Sequence, residues 1–372
     1  MSMEKDSIKM FVTCAVPVFT CNLNCEYCYL RNFKHCHKGT LNFILPPEKL
    51  IKYLTKKRLG GTCYFNFCGD GETMLHPQII KLIFHLTKEG HFCDIITNGT
   101  ISKRFDELVE FLSMDQRQRI LVKFSFHWRE LARNGLLKIF DNNVEKCKQN
   151  GISYSIEMTP EDALIPYIDT IKEYSVNKFG ALPHITVARD TSDPKLPLLT
   201  KLTKNEYERT WAQFNSKMFN FKIKHFGVKH TEFCYAGNWS IYLNLNNGVY
   251  YQCYGARSLG NITDEGALKL SPVGKCRLPH CFNCHSFLTL GTIPELDTPT
   301  YTEMRDQLTK DGKHWVNETG RLFFSTKLKD NNILINQRQK FLIYFKELSW
   351  IAYHSLKGRM IKVMRLIHET EQ

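Results

Sequence analysis

The chain has 372 residues, 43% of them hydrophobic and 23% charged, and carries a net charge of +13. This composition is typical of a globular protein of one large or several smaller domains and excludes collagen-like and disordered chains. The positive charge favours anionic partners such as nucleotides, phosphorylated sugars, nucleic acid or anionic lipid, although no nucleic-acid-binding motif is visible.

Fourteen cysteines are many for this length. The first twenty residues lack the pattern of a secretory signal peptide, and no apolar run approaches the ~18 residues of a membrane span. We therefore expect a cytoplasmic protein whose cysteines are metal ligands or free thiols rather than disulfides.

Short β-rich runs alternate along the chain with amphipathic stretches. The β-rich runs are residues 9–16, 62–68, 92–98, 119–127, 151–158 and 183–189. The amphipathic stretches are residues 48–59, 78–89, 103–113, 130–149 and 161–177. This alternation predicts βαβ units, whose right-handed crossovers form a parallel barrel or partial barrel. The reactive groups of such folds lie on loops that follow the carboxyl ends of the strands.

The first run leads directly into a loop with three cysteines, Cys21, Cys25 and Cys28, in a C-x3-C-x2-C spacing. Three thiolates can hold three irons of a 4Fe–4S cubane and leave the fourth iron open for substrate chemistry. The alternative is a zinc site, in which His35 or His37 would be the fourth ligand.

Polar residues and glycines follow the other strands. The second run ends in Gly69-Asp70-Gly71-Glu72, where two glycines allow the backbone to approach a ligand closely. The remaining strand ends supply the turn Thr97-Asn98-Gly99-Thr100 and the side chains of Ser125, His127, Glu157, Arg189 and Asp190. His127 also has a structural interpretation, as a buried histidine whose ring is hydrogen-bonded within the protein.

Cysteines return after a lysine-rich segment, which we interpret as a linker and helix. Two β-rich runs flank Asn246-Asn247-Gly248 and predict a hairpin between Cys234 and Cys253. Cys276, Cys281 and Cys284 follow. Four of these thiolates can complete a fully ligated 4Fe–4S cluster or, as the alternative, a structural zinc knuckle.

The cysteine loop, with aromatic Tyr27 before its last cysteine, resembles the cluster loop of radical S-adenosylmethionine (radical SAM) enzymes. That family uses a six-unit partial barrel and cleaves SAM to methionine and a 5′-deoxyadenosyl radical, which abstracts hydrogen from the substrate. The resemblance implies that Cys21, Cys25 and Cys28 bind the cluster and that Tyr27 lines the adenine. Gly71 and Glu72 would hold the methionine end, although Asp70 replaces the first glycine of the family's Gly-Gly-Glu segment. Ser125 would contact the ribose.

The distal cysteines resemble the SPASM/twitch extension of the same enzymes, in which a C-x(9–15)-G-x4-C hairpin holds an auxiliary cluster. This resemblance implies a second 4Fe–4S cluster on Cys234, Cys253, Cys281 and Cys284, with Cys276 as a spare or a replacement. It also implies a flavodoxin or ferredoxin as the electron donor. The substrate would be a small molecule, carbohydrate or peptide. The competing function is a non-catalytic zinc protein that binds nucleic acid through its basic surface.

The predicted fold class is α/β, a partial (β/α)6 barrel followed by a small cysteine-rich hairpin domain and a C-terminal helix. The expected divisions are residues 1–192 (barrel), 193–230 (linker and helix), 231–292 (auxiliary-cluster domain) and 293–372 (helical extension). An apolar stripe flanked by lysines and arginines predicts a basic amphipathic helix over about 336–369. Such a helix docks on its own protein, on a partner or on an anionic membrane.

Overall fold

The computed structural model of the protein describes residues 6–32, 39–193, 195–254, 256–276, 278–345 and 349. The chain divides into two compact units, Met1–Asn332 and Ile333–Gln372. Within the described part of the chain, no helix is both long enough and apolar enough to cross a membrane.

A parallel sheet forms the centre of the first unit, and its strands match the predicted β-rich runs. The strands are β1 (Met10–Val16), β2 (Cys63–Gly69), β3 (Phe92–Thr97), β4 (Ile120–Ser125), β5 (Ser153–Met158) and β6 (His184–Ile185). They pair in sequence order and all in parallel. Almost every residue of β1 to β5 is buried, as expected for parallel strands covered on both faces. The α/β partial-barrel prediction is therefore confirmed.

Helices connect these strands. They are α1 (Pro47–Leu50), α2 (Lys56–Leu59), α3 (Ile79–Lys88), α4 (Ser102–Phe111), α5 (Met114–Arg117), α6 (Trp128–Arg133), α7 (Leu137–Gln149) and α8 (Ile168–Phe179). The helix predicted over 130–149 is divided into two. Gly135 has a left-handed φ of 66°, and the N–H of Leu136 bonds back to the carbonyl of Leu131, so α6 ends in a glycine cap before α7 begins.

The predicted hairpin is present, but it continues the main sheet. The strands of this region are β7 (Phe233–Cys234), β8 (Ser240–Asn244), β9 (Val249–Tyr251), β10 (Ser258–Asn261) and β11 (Gly274–Lys275). The hairpin itself consists of β8 and β9, which pair antiparallel. Strand β8 pairs in parallel with β1, which gives the sheet order β10-β9-β8-β1-β2-β3-β4-β5-β6. Strands β7 and β11 form a separate two-stranded sheet. The cysteine-rich segment is thereby joined to the barrel by backbone hydrogen bonds at β1.

The segments before and after the hairpin are helical. They contain α9 (Lys204–Trp211), α10 (Lys217–His225), α11 (Cys284–Phe287), α12 (Tyr301–Arg305) and α13 (Glu318–Phe324). Helix α12 contributes to the barrel interior, because the Tyr301 hydroxyl donates to Asp94 at 3.0 Å and accepts from the Lys123 ammonium at 3.2 Å. Asp94 and Lys123, on β3 and β4, form a buried ion pair at 2.8 Å. The barrel therefore has a charged and hydrogen-bonded centre below its carboxyl end.

The second unit begins a helix where the sequence predicts one. Residues 337–345 are helical. The Asn336 side chain accepts from the N–H of Gln339 at 2.9 Å, and the Gln339 side chain accepts from the N–H of Asn336 at 2.8 Å. This reciprocal capping marks the N-terminus of the helix. Most of the rest of the predicted basic stripe lies outside the described residues.

Candidate active site

A cavity of about 760 Å³ lies at the carboxyl ends of the parallel strands. All seven residues predicted for the SAM and cluster site line it: Cys21, Cys25, Tyr27, Cys28, Gly71, Glu72 and Ser125. They come from the loop after β1 and from the ends of β2 and β4. The tertiary fold thus brings together residues that are up to a hundred positions apart in the chain.

The three thiols of the cysteine loop differ in exposure but lie close to one another. Cys21 is exposed, Cys25 is buried and Cys28 is partly buried. Burial, with smaller contributions from nearby carboxylates and thiols, raises the pKa of Cys21 to about 11 and that of Cys25 to about 12. Without a metal these cysteines are therefore protonated near neutral pH, and metal binding must release their protons.

Side chains from the neighbouring strand ends hold the cysteine loop. The Asn98 amide, after β3, donates to the Asn22 side chain at 2.8 Å and to the Cys21 sulfur at 3.7 Å. Asn22 in turn donates to the Thr100 hydroxyl at 2.7 Å. On the other side, the N–H of Asn24 donates to the Glu130 carboxylate at 3.1 Å. The loop is thus positioned by residues that follow β3 and β4.

Gly71 is the point of closest contact between the cysteine loop and the end of β2. A Cβ atom built on Gly71 would lie 2.0 Å from the Thr20 carbonyl oxygen, a distance that real Cβ contacts do not show. The next residue, Glu72, donates its N–H to that same oxygen at 2.9 Å. Glycine is required here because the two backbones touch.

The Glu72 side chain is buried and bonded to the end of β3. Its carboxylate accepts from the Thr97 hydroxyl at 2.6 Å and from the N–H of Asn98 at 2.7 Å. It also accepts from the N–H of Met74 at 2.9 Å. Burial raises the pKa of Glu72, and these three donors oppose that rise. Glu72 therefore connects β2 to β3 whether or not it also contacts a ligand.

Tyr27 is held by His127, as the buried-histidine interpretation expects. The Tyr27 hydroxyl and the His127 Nδ1 are 2.5 Å apart. Burial lowers the pKa of His127 to about 4, so the imidazole is neutral and its Nδ1 can accept the hydroxyl proton. This bond orients the Tyr27 ring beside the cysteines.

The donor set can be tested against the two kinds of metal group. Among the described residues, no three His, Cys, Asp or Glu side chains are close enough to hold a single metal ion. A cubane with one open iron takes three thiolates, one on each of three irons, whereas a structural zinc ion needs a fourth ligand. The three neighbouring thiols of this loop match the donor set of the cluster. His35 and His37, the histidines of the zinc alternative, lie outside the described residues.

The side of the cavity formed by β5 and β6 carries two cations, Lys222 and Arg189. Lys222, on α10, is only 4% exposed and donates to the Thr186 hydroxyl at 2.6 Å. Burial lowers its pKa to about 8, while the Cys284 thiol opposes that change. The Arg189 guanidinium lies over the Tyr29 ring at 4.6 Å. Lys222 was missed from the sequence because nothing distinguishes it from the other lysines of its segment.

A second and smaller cavity, of about 40 Å³, is lined by four cysteines: Cys234, Cys253, Cys276 and Cys281. The pairing of β7 with β11 places Cys234 opposite Gly274 and so brings Cys276 near it. Burial raises the pKa of Cys281 well above its usual value, and the nearby thiols of Cys284, Cys234, Cys253 and Cys276 also raise it. The cysteines that line the cavity, and Cys284 as well, therefore lie close to Cys281.

Cys284 is the one predicted distal ligand that does not line this small cavity. It is fully buried in an apolar cluster with Met218, Phe221, Leu288, Ile293 and Met304. Its thiol is close enough to Lys222 that the ammonium opposes the rise in pKa that burial produces. Cys234 and Cys281 also pack against this apolar cluster, so Cys284 is a neighbour of both. Cys276 and Cys284 both stay candidates for the fourth ligand.

Residues 16–160 match the model of the radical SAM superfamily. A comparison with curated protein sequences found no match. The match ends at residue 160, so the resemblance of residues 231–292 to a SPASM/twitch domain stays a prediction.

Solved structures of low sequence identity are similar to the chain. Streptococcus suis SuiB has 12% identity and a TM-score of 0.48, covering 70% of this chain, which spans only 64% of SuiB. The anSMEcpe structure with bound AdoMet has 18% identity and a TM-score of 0.47, over 68% of this chain and 78% of that one. BtrN in complex with AdoMet and 2-DOIA has 13% identity and a TM-score of 0.33, over 70% and 80%. The family match covers residues 16–160, the part of the chain that carries the three-cysteine loop.

Proposed function

We propose that the protein is a radical SAM enzyme that cleaves S-adenosylmethionine reductively and abstracts a hydrogen atom from its substrate. The observation that carries the proposal is the convergence of Cys21, Cys25 and Cys28 on the cavity at the carboxyl end of the barrel. When bound there, a 4Fe–4S cluster and SAM would supply the electron and the 5′-deoxyadenosyl radical.

In this proposal the chain binds, orients and excludes water while the cofactors supply the chemistry. Cys21, Cys25 and Cys28 hold the cluster. Tyr27, oriented by neutral His127, lines the adenine. Gly71 and Glu72 hold the methionine end, for which Glu72 keeps acceptor capacity beyond its three hydrogen bonds. Ser125 contacts the ribose, and a flavodoxin or ferredoxin delivers the electron.

The direct test is formation of 5′-deoxyadenosine. Anaerobically reconstituted full-length protein, given SAM and a strong reductant, is expected to produce 5′-deoxyadenosine and methionine in equal amounts, as measured by liquid chromatography. Protein with full iron loading that yields no 5′-deoxyadenosine would refute the function.

We further propose that the small cavity holds an auxiliary 4Fe–4S cluster, and that Cys276 rather than Cys284 is its fourth ligand beside Cys234, Cys253 and Cys281. The support is that these four thiols line one cavity, whereas Cys284 does not line it and lies in the apolar cluster against which Cys234 and Cys281 pack. A fully ligated cluster has no open iron, so its role is structural or electron transfer.

Iron analysis distinguishes the candidates for the fourth ligand. Reconstituted wild-type protein is expected to hold about eight irons, in two cubanes. The variant in which Cys21, Cys25 and Cys28 are all replaced by Ala is expected to hold about four irons, in the auxiliary cubane alone. In that triple background, Cys276→Ala should lose the remaining iron and the visible absorption band, whereas Cys284→Ala should keep both. The opposite result would assign the ligand to Cys284. Zinc instead of iron in the triple variant would identify a zinc knuckle.

A further inference from the structure

The large cavity extends beyond the cysteine loop to the ends of β5 and β6, where its wall carries positive charge. Two cations, Lys222 and Arg189, line the side formed by the ends of β5 and β6. Their hydrogen-bond partners are neutral: the Thr186 hydroxyl for Lys222, and the Phe282 carbonyl and the Asn283 side chain for Arg189. These hydrogen bonds leave both positive charges uncompensated.

Lys222 is held in place by the fold. Ser216, the N-cap of α10, accepts the N–H of Phe219 at 3.2 Å and the N–H of Ile185 at 2.9 Å, which ties the helix to β6. The Lys222 ammonium then reaches the Thr186 hydroxyl just after β6. An ammonium has three donors, and Thr186 uses one. Burying the remaining donors without an acceptor is costly unless a ligand supplies one.

Arg189 is held by one aromatic ring and two hydrogen-bond acceptors. Its guanidinium stacks on Tyr29 and donates at 3.4 Å to the carbonyl of Phe282 and at 3.5 Å to the Asn283 side chain. These partners are neutral, so the charge of Arg189 is not compensated by them. Planar guanidinium groups bind carboxylates and phosphates with two parallel hydrogen bonds.

Glu157, the acidic residue on this side of the cavity, forms an ion pair with Arg305. Glu157 lies at the end of β5, and its Oε1 is 3.3 Å from the Nε of buried Arg305. Arg305 also donates to the carbonyl of His285 at 3.1 Å and stacks on Tyr301 at 3.8 Å. Glu157 also acts electrostatically on Lys222, but one carboxylate cannot balance the three cations Arg305, Lys222 and Arg189, so this wall of the cavity stays positive.

We propose that Lys222 and Arg189 bind an anionic group, a carboxylate or a phosphate, on the substrate of this enzyme. This proposal rests on the proposed function, because it names the chemical class of the molecule from which the radical abstracts hydrogen. Lys222 is on α10 and Arg189 follows β6, whereas Gly71 and Glu72 follow β2. The groups proposed to bind the substrate anion therefore come from different elements than those proposed for the methionine end of SAM.

The test uses inorganic phosphate and acetate as probes, with neutral acetamide as the uncharged counterpart of acetate. Calorimetric titration into reconstituted, SAM-loaded protein at low salt is expected to show binding of phosphate, acetate or both, and none of acetamide. The tighter of the two anions identifies a phosphorylated or a carboxylated substrate. Absence of anion binding would overturn the proposal.

Variants locate the binding. Lys222→Met and Arg189→Gln should each weaken anion binding at least about tenfold, the scale of a lost charge-assisted hydrogen bond. Lys222→Arg should restore most of it, and Lys224→Met, an exposed lysine on the same helix, should leave it unchanged. Iron content and circular dichroism verify that each variant is folded. Unchanged anion affinity in folded Lys222→Met would refute the proposal.

Two further measurements distinguish this proposal from its alternatives. SAM affinity is measured in Lys222→Met, while Lys224→Met, which changes an exposed lysine, should keep wild-type SAM affinity and 5′-deoxyadenosine formation. A loss of SAM affinity with phosphate binding intact would assign the cations to the SAM carboxylate and overturn the proposal. Anion binding that depends on Lys222 in protein that never cleaves SAM would refute the radical SAM function but support the anion site.

Discussion

Replacement of any one of Cys21, Cys25 and Cys28 by Ala is expected to abolish 5′-deoxyadenosine formation. Each thiolate would bind a different iron of one cubane, so the loss of one leaves a cluster with two exposed irons that does not persist. The three variants should behave alike, because the ligands act as a unit rather than as additive contributors. Product analysis by liquid chromatography checks the activity, and iron analysis should show about four irons remaining, those of one auxiliary cubane.

Cys147→Ala is the matched control for these variants. Cys147 is buried in α7 and lines neither cavity, so its replacement removes a thiol without touching a proposed ligand. We expect Cys147→Ala to retain about eight irons and wild-type cleavage. If one of the three loop variants kept both its iron and its activity, that cysteine would not be a ligand.

Gly71→Ala is expected to reduce SAM cleavage by at least about a hundredfold, the cost of a displacement of about 1 Å in a catalytic constellation. The new methyl group would lie 2.0 Å from the Thr20 carbonyl oxygen and 2.7 Å from the Thr20 nitrogen, so the backbone before Cys21 must move. The cysteine loop then loses its position relative to Asn98 and Glu72. Iron analysis and 5′-deoxyadenosine formation measure the effect.

Gly69→Ala provides the control at the same strand end. A Cβ atom on Gly69 would lie 3.5 Å from the Val18 side chain, an ordinary van der Waals contact. Folded Gly69→Ala should therefore keep its iron and at least about a third of its activity, since a tolerated contact changes the barrier by well under 1 kcal/mol. Equal loss in both variants would mean that the whole turn, and not the contact with Thr20, is sensitive.

The strand-end pattern made much of the candidate site predictable. Reactive groups of parallel barrels follow the strands, and the C-x3-C-x2-C loop and the Gly69–Glu72 turn stand at two successive strand ends. The hydrogen bonds that hold the loop were not predictable. The turn at Thr97-Asn98 looked like an ordinary turn, yet Thr97 and Asn98 bind Glu72, and Asn98 also binds Asn22 and the Cys21 sulfur.

The distal half of the chain was harder to interpret because spacing does not reveal which way a side chain points. The C-x2-C spacing of Cys281 and Cys284 favours two adjacent ligands, but only Cys281 lines the small cavity, while Cys284 lies in the apolar cluster against which Cys281 packs. Helix α12 gave no sequence signal for the barrel at all. Its Tyr301 and Arg305 nevertheless reach the barrel centre, where they meet Asp94 and Glu157.

The alternation of strands and helices, the three-cysteine loop and the hairpin are predictable from the sequence, because hydrophobic periodicity, turn residues and ligand spacing are local properties. The folded chain was needed to show that β8 pairs with β1, that Lys222 lines the large cavity and that Cys234, Cys253, Cys276 and Cys281 line the small one. These features depend on contacts between residues far apart in the chain. Such contacts are chosen by the burial and pairing of whole elements, and no local pattern records that choice.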